Sequence, residues 1–101
     1  MTVDESPAFG AHLIDATTVA VSGEIDVCSA PDLTALLADP TVERVIMTAV
    51  SFIDAAGLEI LLEAHRSRPQ GLTLCSPSRC VLRLLDLAGH CSTFRVVNGR
   101  L

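Results

Sequence analysis

The sequence predicts a single α/β domain whose mixed, mostly parallel sheet has four to five strands, with helices alternating with strands along the chain. Its 101 residues suffice for one hydrophobic core but not for two. The apolar half of the chain is aliphatic, with three Phe and no Trp or Tyr, a composition that suits parallel strands covered by helices. Short apolar or β-branched runs alternate with segments of helical spacing, as right-handed crossovers between parallel strands require.

The first predicted elements form an antiparallel hairpin. Residues 9–14 are a weak strand candidate, and residues 18–22 alternate and are β-branched, which is typical of a strand. Residues 15–17 are a short link between the two. Residues 23–26 are predicted to turn into a loop, and residues 1–7 to be a flexible tail of the single domain 1–101.

Three helices are predicted, each from a capping residue followed by an apolar stripe. Ser29, Asp54 and Ser78 are the predicted N-caps, and Asp32 completes a capping box with the first of them. The stripes recur at helical spacing. They consist of Leu33, Leu36 and Leu37 in the first helix, of Leu58, Leu61, Leu62 and His65 in the second, and of Val81, Leu82, Leu84 and Leu85 in the third.

The remaining strands are predicted between and after these helices. Residues 45–47 are a short, continuous apolar run, as a buried central strand requires, and residues 72–75 and 94–97 are the other two candidates. Pro40 follows the end of the first helix, and Gly89 is the expected stop of the third.

Charge and hydropathy exclude several classes of function. The formal net charge is −5, and the seven cationic residues are all Arg and look scattered along the sequence, which argues against nucleic acid as a partner. The longest apolar run, residues 58–64, is interrupted by Glu59 and Glu63 and is too short for direct membrane insertion. The N-terminus has no basic residue and does not look like a signal peptide. We therefore expect a cytoplasmic protein with reduced thiols.

Two short motifs are expected at the carboxyl ends of strands, where parallel α/β sheets place their functional surfaces. The first is Gly-Glu-Ile-Asp at residues 23–26, and the second is Phe-Ile-Asp-Ala-Ala-Gly-Leu at residues 52–58. In the second motif, Asp54 is expected to cap a helix. The small residues behind it are expected to let the backbone of a partner approach closely; these are Ala55, Ala56 and Gly57.

With these motifs the chain resembles the STAS family, the anti-sigma factor antagonists of bacteria, over residues 9–97. The family pattern has Gly-Glu-Leu-Asp after one strand and Phe-x-Asp-Ser-Ser-Gly-Leu after the next. It then has a leucine-rich helix, a Leu-x-Leu strand and a final helix that ends in Gly. Here residues 72–74 and 81–89 complete the pattern. The resemblance implies a non-enzymatic protein without cofactors that docks onto an anti-sigma factor and so releases a sigma factor.

The resemblance also implies a phosphorylation switch, and the sequence departs from the family there. In the family the anti-sigma factor is an ATP-binding serine kinase that phosphorylates the Ser or Thr just before the motif glycine. The added charge, about −1.5 to −2 at pH 7, abolishes docking. The matching residue is Ala56, preceded by Ala55, and neither accepts phosphate. Thr48 stands where the family's central strand usually ends in Asp, and Thr48 or Ser51 is the alternative phosphoacceptor.

The predicted partner-binding residues are Asp26, Asp54, Ala55, Ala56, Gly57 and Glu59. For Asp54 the alternative role is helix capping alone, and for Asp26 it is that of an ordinary loop carboxylate. Two other functions stay open. One is a STAS accessory subunit of an ABC-type lipid transporter, and the other is a scaffold in a STAS assembly. The oligomeric state is left open.

The cysteines allow a second hypothesis, in which oxidation replaces the lost phosphorylation. Cys28 and Cys75 are expected toward the docking end, and Cys80 opens the third helix. The alternative is that the thiols are small, buried apolar groups of a cytoplasmic protein. No metal site is predicted, because the Cys and His residues lack zinc spacing. His65 is expected to be a packing residue.

Overall fold

The computed structural model describes residues 8–98 as a five-stranded mixed sheet with three helices. The strand order is β1-β2-β3-β4-β5. β1 is antiparallel to β2, and every other neighbouring pair is parallel. The predicted tail, residues 1–7, lies outside the described residues. The elements are β1 (Gly10–Asp15), β2 (Thr18–Ile25), α1 (Ala30–Leu37), β3 (Arg44–Ile53), α2 (Ala55–Arg66), β4 (Thr73–Cys75), α3 (Arg79–Leu87) and β5 (Arg95–Val97).

The predicted hairpin and alternation of elements are confirmed, but two strands are longer than predicted. β2 continues through Gly23 to Ile25, where a turn was expected, and β3 continues past Thr48 to Ile53. The backbone at Gly23 has φ 81°, and a Cβ there would collide with the carbonyl of Ala8. The left-handed residue is thus a local irregularity inside the strand, since the β2–β3 register shifts at this point and then continues.

The core lies between the helices and one face of the sheet. Inward side chains alternate along the strands, as in Val19, Val45 and Leu74, none of which is exposed. On the helices most residues of the predicted stripes are buried, and Leu36, His65 and Leu84 are half-buried. Leu82 is 43% exposed, contrary to the prediction. The helical repeat of 3.6 residues carries Leu82 away from Val81 and Leu85, which face the sheet.

The helix caps were predicted with mixed success. Asp54 is confirmed, because its side chain accepts two hydrogen bonds from the first turn of α2. Ser29 and Ser78 occupy the N-cap positions but make no side-chain capping bond, and the capping box between Ser29 and Asp32 does not form. The hydroxyl of Ser29 instead donates to the carbonyl of Glu24. Gly89 ends α3 as predicted, with bonds from Gly89 N–H to Asp86 and from His90 N–H to Leu85.

Arg68, which the sequence reasoning did not single out, ties the ends of α1 and α2 together. Its buried guanidinium donates to four backbone carbonyls, at 2.7–3.0 Å. Its charge lies at the carbonyl-rich C-terminal ends of both helices, where cations are favoured. The four acceptors are Leu37, Asp39, Val42 and Ala64.

The confirmed packing role of His65 shows in two contacts. Its Nδ1 accepts a 2.9 Å hydrogen bond from the backbone N–H of Leu72. Its ring meets Phe94 edge to face, with centroids 5.0 Å apart. The imidazole therefore fastens the end of α2 to the beginning of β4, and it faces the core rather than a site.

Candidate docking site at the carboxyl end of the sheet

The two motifs meet because β2 and β3 end at the same level. Ile25 pairs with Ile53 at the last position of the parallel ladder. The backbone N–H of Asp54 then donates to the carbonyl of Ile25 at 3.2 Å. Asp26 and Asp54 each follow one of the paired isoleucines directly, so the structure places the two predicted carboxylate residues on neighbouring strand ends.

Asp54 turns the chain from β3 into α2. Its Oδ1 accepts hydrogen bonds from the backbone N–H groups of Ala56, at 3.0 Å, and of Gly57, at 3.2 Å. These are donors that a helix N-terminus otherwise leaves without a partner. Within residues 8–98 the second carboxylate oxygen of Asp54 takes no hydrogen bond, and the residue is half-buried. The corner therefore keeps an oxygen that an external donor can reach.

Gly57 packs against the strand ends on the inner side of this corner and does not expose its backbone to a partner. The residue is buried. A Cβ at this position would lie 2.6 Å from Cγ2 of Ile25 and 2.9 Å from Cγ1 of Ile53. The expectation that Gly57 contacts the partner is therefore corrected, since its missing side chain lets α2 sit close against the ends of the strands. Ala55 is exposed and Ala56 half-buried, so these two residues do face outward.

Asp26 organises the neighbouring loop. Its Oδ1 accepts hydrogen bonds from the backbone N–H groups of Cys28, at 2.9 Å, and Ser29, at 3.1 Å. The hydroxyl of Ser29 accepts from the N–H of Asp26 and donates to the carbonyl of Glu24. Sequence reasoning missed this role of Ser29, because a serine before a helix first suggests a cap. These bonds fix the loop, so its surface is preformed.

An acidic pocket lies beside this loop. Its volume is about 320 Å³, and its rim carries three carboxylates but no cationic side chain. The carboxylates belong to Glu24, Asp26 and Asp32, and Phe9 and Cys28 also line the pocket. No group of three or more His, Cys, Asp and Glu side chains in residues 8–98 is arranged to hold a metal ion.

A groove lies between α1 and α2, the helix that begins at the corner. It has a volume of about 340 Å³ and an apolar floor that includes Leu37 and Ile60. Glu59, a predicted partner contact, lines this groove together with Glu63. We refer to the corner, the pocket and the groove together as the docking surface. Of its carboxylates, Glu63 is paired with Arg66 at 3.4 Å, and no cationic side chain lines the pocket or the groove.

Two exposed apolar side chains near the corner were not predicted as contacts. Val27 follows Asp26 in the loop and is 72% exposed, and Phe52 precedes the turn into α2 and is 46% exposed. Phe52 pairs with Glu24 in the β2–β3 ladder. The family motif contains this phenylalanine, but its outward orientation depends on a strand irregularity that the sequence does not reveal.

The alternative phosphoacceptors lie within β3. Thr48 and Ser51 are both exposed, and the hydroxyl of Thr48 donates to the carbonyl of Ser76 at 3.1 Å. β3 does not end at Thr48 as the family pattern suggested. Both hydroxyls precede the corner instead of lying in the first turn of α2.

The cysteines are not gathered at the docking end. Cys75 pairs with Ile46, whereas Ile25, near Cys28, pairs with Ile53. From Ile46 to Ile53, β3 advances by seven residues, or about 23 Å, and this separates the level of Cys75 from that of Cys28. A disulfide needs Cα atoms within about 7 Å. Cys75 is buried, and burial raises the pKa of its thiol. The expected common location of Cys28 and Cys75 is therefore wrong, and Cys80 is half-buried against the carbonyl of Val50.

Comparison with known proteins agrees with this architecture. The sequence model of the STAS domain matches residues 11–99. Among curated proteins no sequence matches. Among solved structures, an anti-sigma factor antagonist from Mycobacterium paratuberculosis is similar at a TM-score of 0.70 and 26% identity, covering 96% of this chain and 90% of that one.

Two further structures share the fold at lower identity. The anti-sigma factor antagonist SpoIIAA in its unphosphorylated form has a TM-score of 0.69 and 21% identity, with 92% of this chain and 89% of that chain covered. The Bacillus cell fate determinant SpoIIAA in its phosphorylated form has a TM-score of 0.65 and 20% identity, with 92% of both chains covered. In residues 8–98, no helix is both long and apolar enough to cross a membrane. By its sequence match and its fold, this chain belongs to the STAS domain family.

Proposed function

We propose that this protein is a cytoplasmic anti-sigma factor antagonist that docks onto an anti-sigma factor of the ATP-binding serine kinase type and thereby releases a sigma factor. The observation that carries the proposal is the turn from β3 into α2, in which Asp54 caps the helix, Ala55 is exposed and the Asp26 loop lies alongside. The similarity to anti-sigma factor antagonists supports it.

The chemistry of this surface favours a basic partner. Its rim carries Glu24, Asp26, Asp32 and Glu59, together with Glu63, which is paired with Arg66. The apolar side chains of Val27 and Phe52 lie exposed nearby. Such a surface fits a partner patch with Arg or Lys around an apolar centre, because complementary charge speeds association and fixes orientation. Docking by mass action then makes the ratio of the two proteins set the output.

We further propose that the kinase does not switch this protein off at the family position. Ala56 has no hydroxyl to accept a phosphoryl group. Its backbone N–H already donates to Asp54, so the turn itself is built without a side chain at this position. A phosphate here would stand close to the Asp54 carboxylate and repel it. The antagonist therefore stays competent to bind while ATP is present.

The test is a release assay with purified proteins. Each anti-sigma factor kinase of the source organism is loaded with its sigma factor, the antagonist and labelled ATP are added, and transcription from a sigma-dependent promoter is measured. Wild type should restore transcription at about stoichiometric amounts, and the effect should persist without label on the antagonist. Ala56→Ser should become labelled and lose the effect with time.

Ala55→Ser is the matched control, because it adds the same hydroxyl one residue away from the family position. It should stay unlabelled and active. If wild type itself is labelled at Thr48 or Ser51, the claim of phosphorylation-insensitive docking is wrong. If no kinase responds while a transporter nucleotide-binding subunit retains the protein, the accessory-subunit function replaces the proposed one.

A further inference from the structure

A second cavity, which the proposed function does not use, lies at the opposite end of the sheet. Its volume is about 470 Å³, and it lies at the amino-terminal ends of β3, β4 and β5. Three arginines line it, namely Arg44, Arg68 and Arg95. The arginines that look scattered in the sequence are therefore brought together here, by strands and a helix end that are distant in the chain.

The register of the sheet sets the spacing of two of these arginines. Arg44 pairs with Thr73, and Thr73 pairs with Arg95, so the three residues form one row across β3, β4 and β5. Paired residues point to the same face, and neighbouring strands are about 4.8 Å apart. The Cα atoms of the two arginines are therefore about 10 Å apart, and Thr73 lies between them. Both arginine side chains are long enough to reach a single anion between them.

Both guanidinium groups are available for a ligand. Among residues 8–98, the one ion pair within 4.0 Å joins Arg66 to Glu63, so neither Arg44 nor Arg95 has a carboxylate partner there. Both residues are exposed at the mouth of the cavity. Arginine forks bind planar or tetrahedral oxyanions through paired N–H groups, so two free forks form the core of an oxyanion site.

Arg68 adds a fixed positive charge to the wall. All its bonds go to backbone carbonyls or to the hydroxyl of Ser67, and none of them neutralises it as a carboxylate would. Two carboxylates lie nearby. Glu43 also lines the cavity, and Asp39 is close enough to Arg68 for the cation to help lower its pKa. Three cations against one lining carboxylate leave the cavity positive in a chain whose net charge is −5.

We propose that this cavity binds a phosphate group, with Arg44 and Arg95 as the two forks and the Thr73 hydroxyl as a further donor. The volume lies within the range of small-molecule sites, about 300–1,000 Å³, and exceeds what a bare phosphate ion fills. A small phosphate ester therefore fits better than free phosphate. The site is independent of the docking corner, which lies at the other end of the strands.

The experiment is a titration of the ¹⁵N-labelled protein followed by NMR at constant ionic strength. Inorganic phosphate and glycerol 3-phosphate are added in separate arms, and sodium chloride serves as the salt control. Saturable shifts at the amides of Arg44, Thr73 and Arg95 are expected, with tighter binding of the ester. Saturation by inorganic phosphate with equal affinity would assign the site to the free ion, which still supports the phosphate site.

Matched variants locate the site. Arg44→Gln and Arg95→Gln should each raise the apparent Kd about tenfold, the loss expected for one charged hydrogen-bonding partner. Arg79→Gln and Arg83→Gln, which remove exposed arginines from α3, should leave Kd unchanged. The inference is overturned if the shifts rise linearly in all arms, or if the α3 variants weaken binding as much as the cavity variants.

Discussion

At the scale of single residues, the docking corner depends both on the carboxylate of Asp54 and on the lack of a side chain at Gly57. Asp54 supplies the acceptor that starts α2, and Gly57 supplies the space that lets α2 reach the strand ends. Residues 55 and 56 between them are both alanine, which permits the turn but adds no reactive group. In the proposed function this corner acts through contact with a partner, and its charge is that of the carboxylates around it.

Gly57→Ala should destabilise the protein by about 1–2 kcal/mol, measured as the free energy of unfolding in urea. Alanine gains up to about 1 kcal/mol of helix propensity. The new Cβ, however, would meet Ile25 and Ile53 at 2.6 and 2.9 Å, and Ile25 has no exposed surface through which to move away. Overpacking of this kind costs about 1–3 kcal/mol.

The double variant with Ile25→Ala is the control for Gly57→Ala. It removes the atom nearest to the new Cβ, so the additional cost of Gly57→Ala in that background should shrink. An increase in the free energy of unfolding on Gly57→Ala alone would show that the close approach is not what selects glycine here.

At the scale of elements, the two helices on the docking side are held at their far ends by Arg68. Arg68→Met should lower the free energy of unfolding by about 3 kcal/mol, because four backbone carbonyls lose a charged donor and three of these hydrogen bonds are buried. Arg68→Lys should restore only part of this, since an ammonium group has three donors and no planar fork. Denaturation in urea measures both.

Arg66→Met is the matched control for Arg68. Arg66 lies on the same helix but is exposed, and its ion pair with Glu63 at 3.4 Å is a surface pair. Its loss should cost less than about 1 kcal/mol. If Arg68→Met and Arg66→Met lowered the free energy of unfolding equally, the proposed role of Arg68 in joining α1 to α2 would be wrong.

The hydrogen bonds in the loop between α1 and β3 should lower the pKa of Asp39, which lies in that loop. The backbone N–H of Thr41, its hydroxyl and then the charge of Arg68 hold the pKa of Asp39 below the ordinary value of 3.8. A lowered folded-state pKa stabilises the fold above the unfolded pKa of about 3.9, and the contribution disappears as pH falls through the folded value. Carboxyl ¹³C NMR should give a midpoint below 3.8, and Thr41→Val should raise it. An unchanged midpoint in Thr41→Val would contradict the role of the hydroxyl.

The sequence predicted which elements exist better than it predicted where strands end. Apolar periodicity and Asp54 located the helices, because both signals are local. β2 and β3 run longer than predicted, since a glycine such as Gly23 normally weakens a strand and the continuous apolar run of β3 ends at Met47. Beyond Ile46, β3 pairs with β2 alone, and this ladder, which ends at Ile25 and Ile53, extends both strands together. Such support from a distant part of the chain is not visible in a local window.

At the scale of the whole molecule, two charged sites lie at opposite ends of the sheet. The docking end is acidic, and the opposite end carries the cavity of Arg44, Arg68 and Arg95. The docking corner could be predicted because its residues form two contiguous motifs. The cavity could not, because its row of residues exists only once the register of β3, β4 and β5 is known. The same register separates Cys75 from Cys28.

The most direct test of the docking surface is calorimetric titration of the anti-sigma factor with charge-reversal variants. Glu59→Lys changes an exposed side chain in the groove beside the corner, and Asp86→Lys makes the same change on α3. Glu59→Lys should weaken binding at least about tenfold, since like charges then meet across the interface, and Asp86→Lys should bind as wild type does. Equal affinities of Glu59→Lys and wild type, with both proteins folded, would contradict docking through this surface.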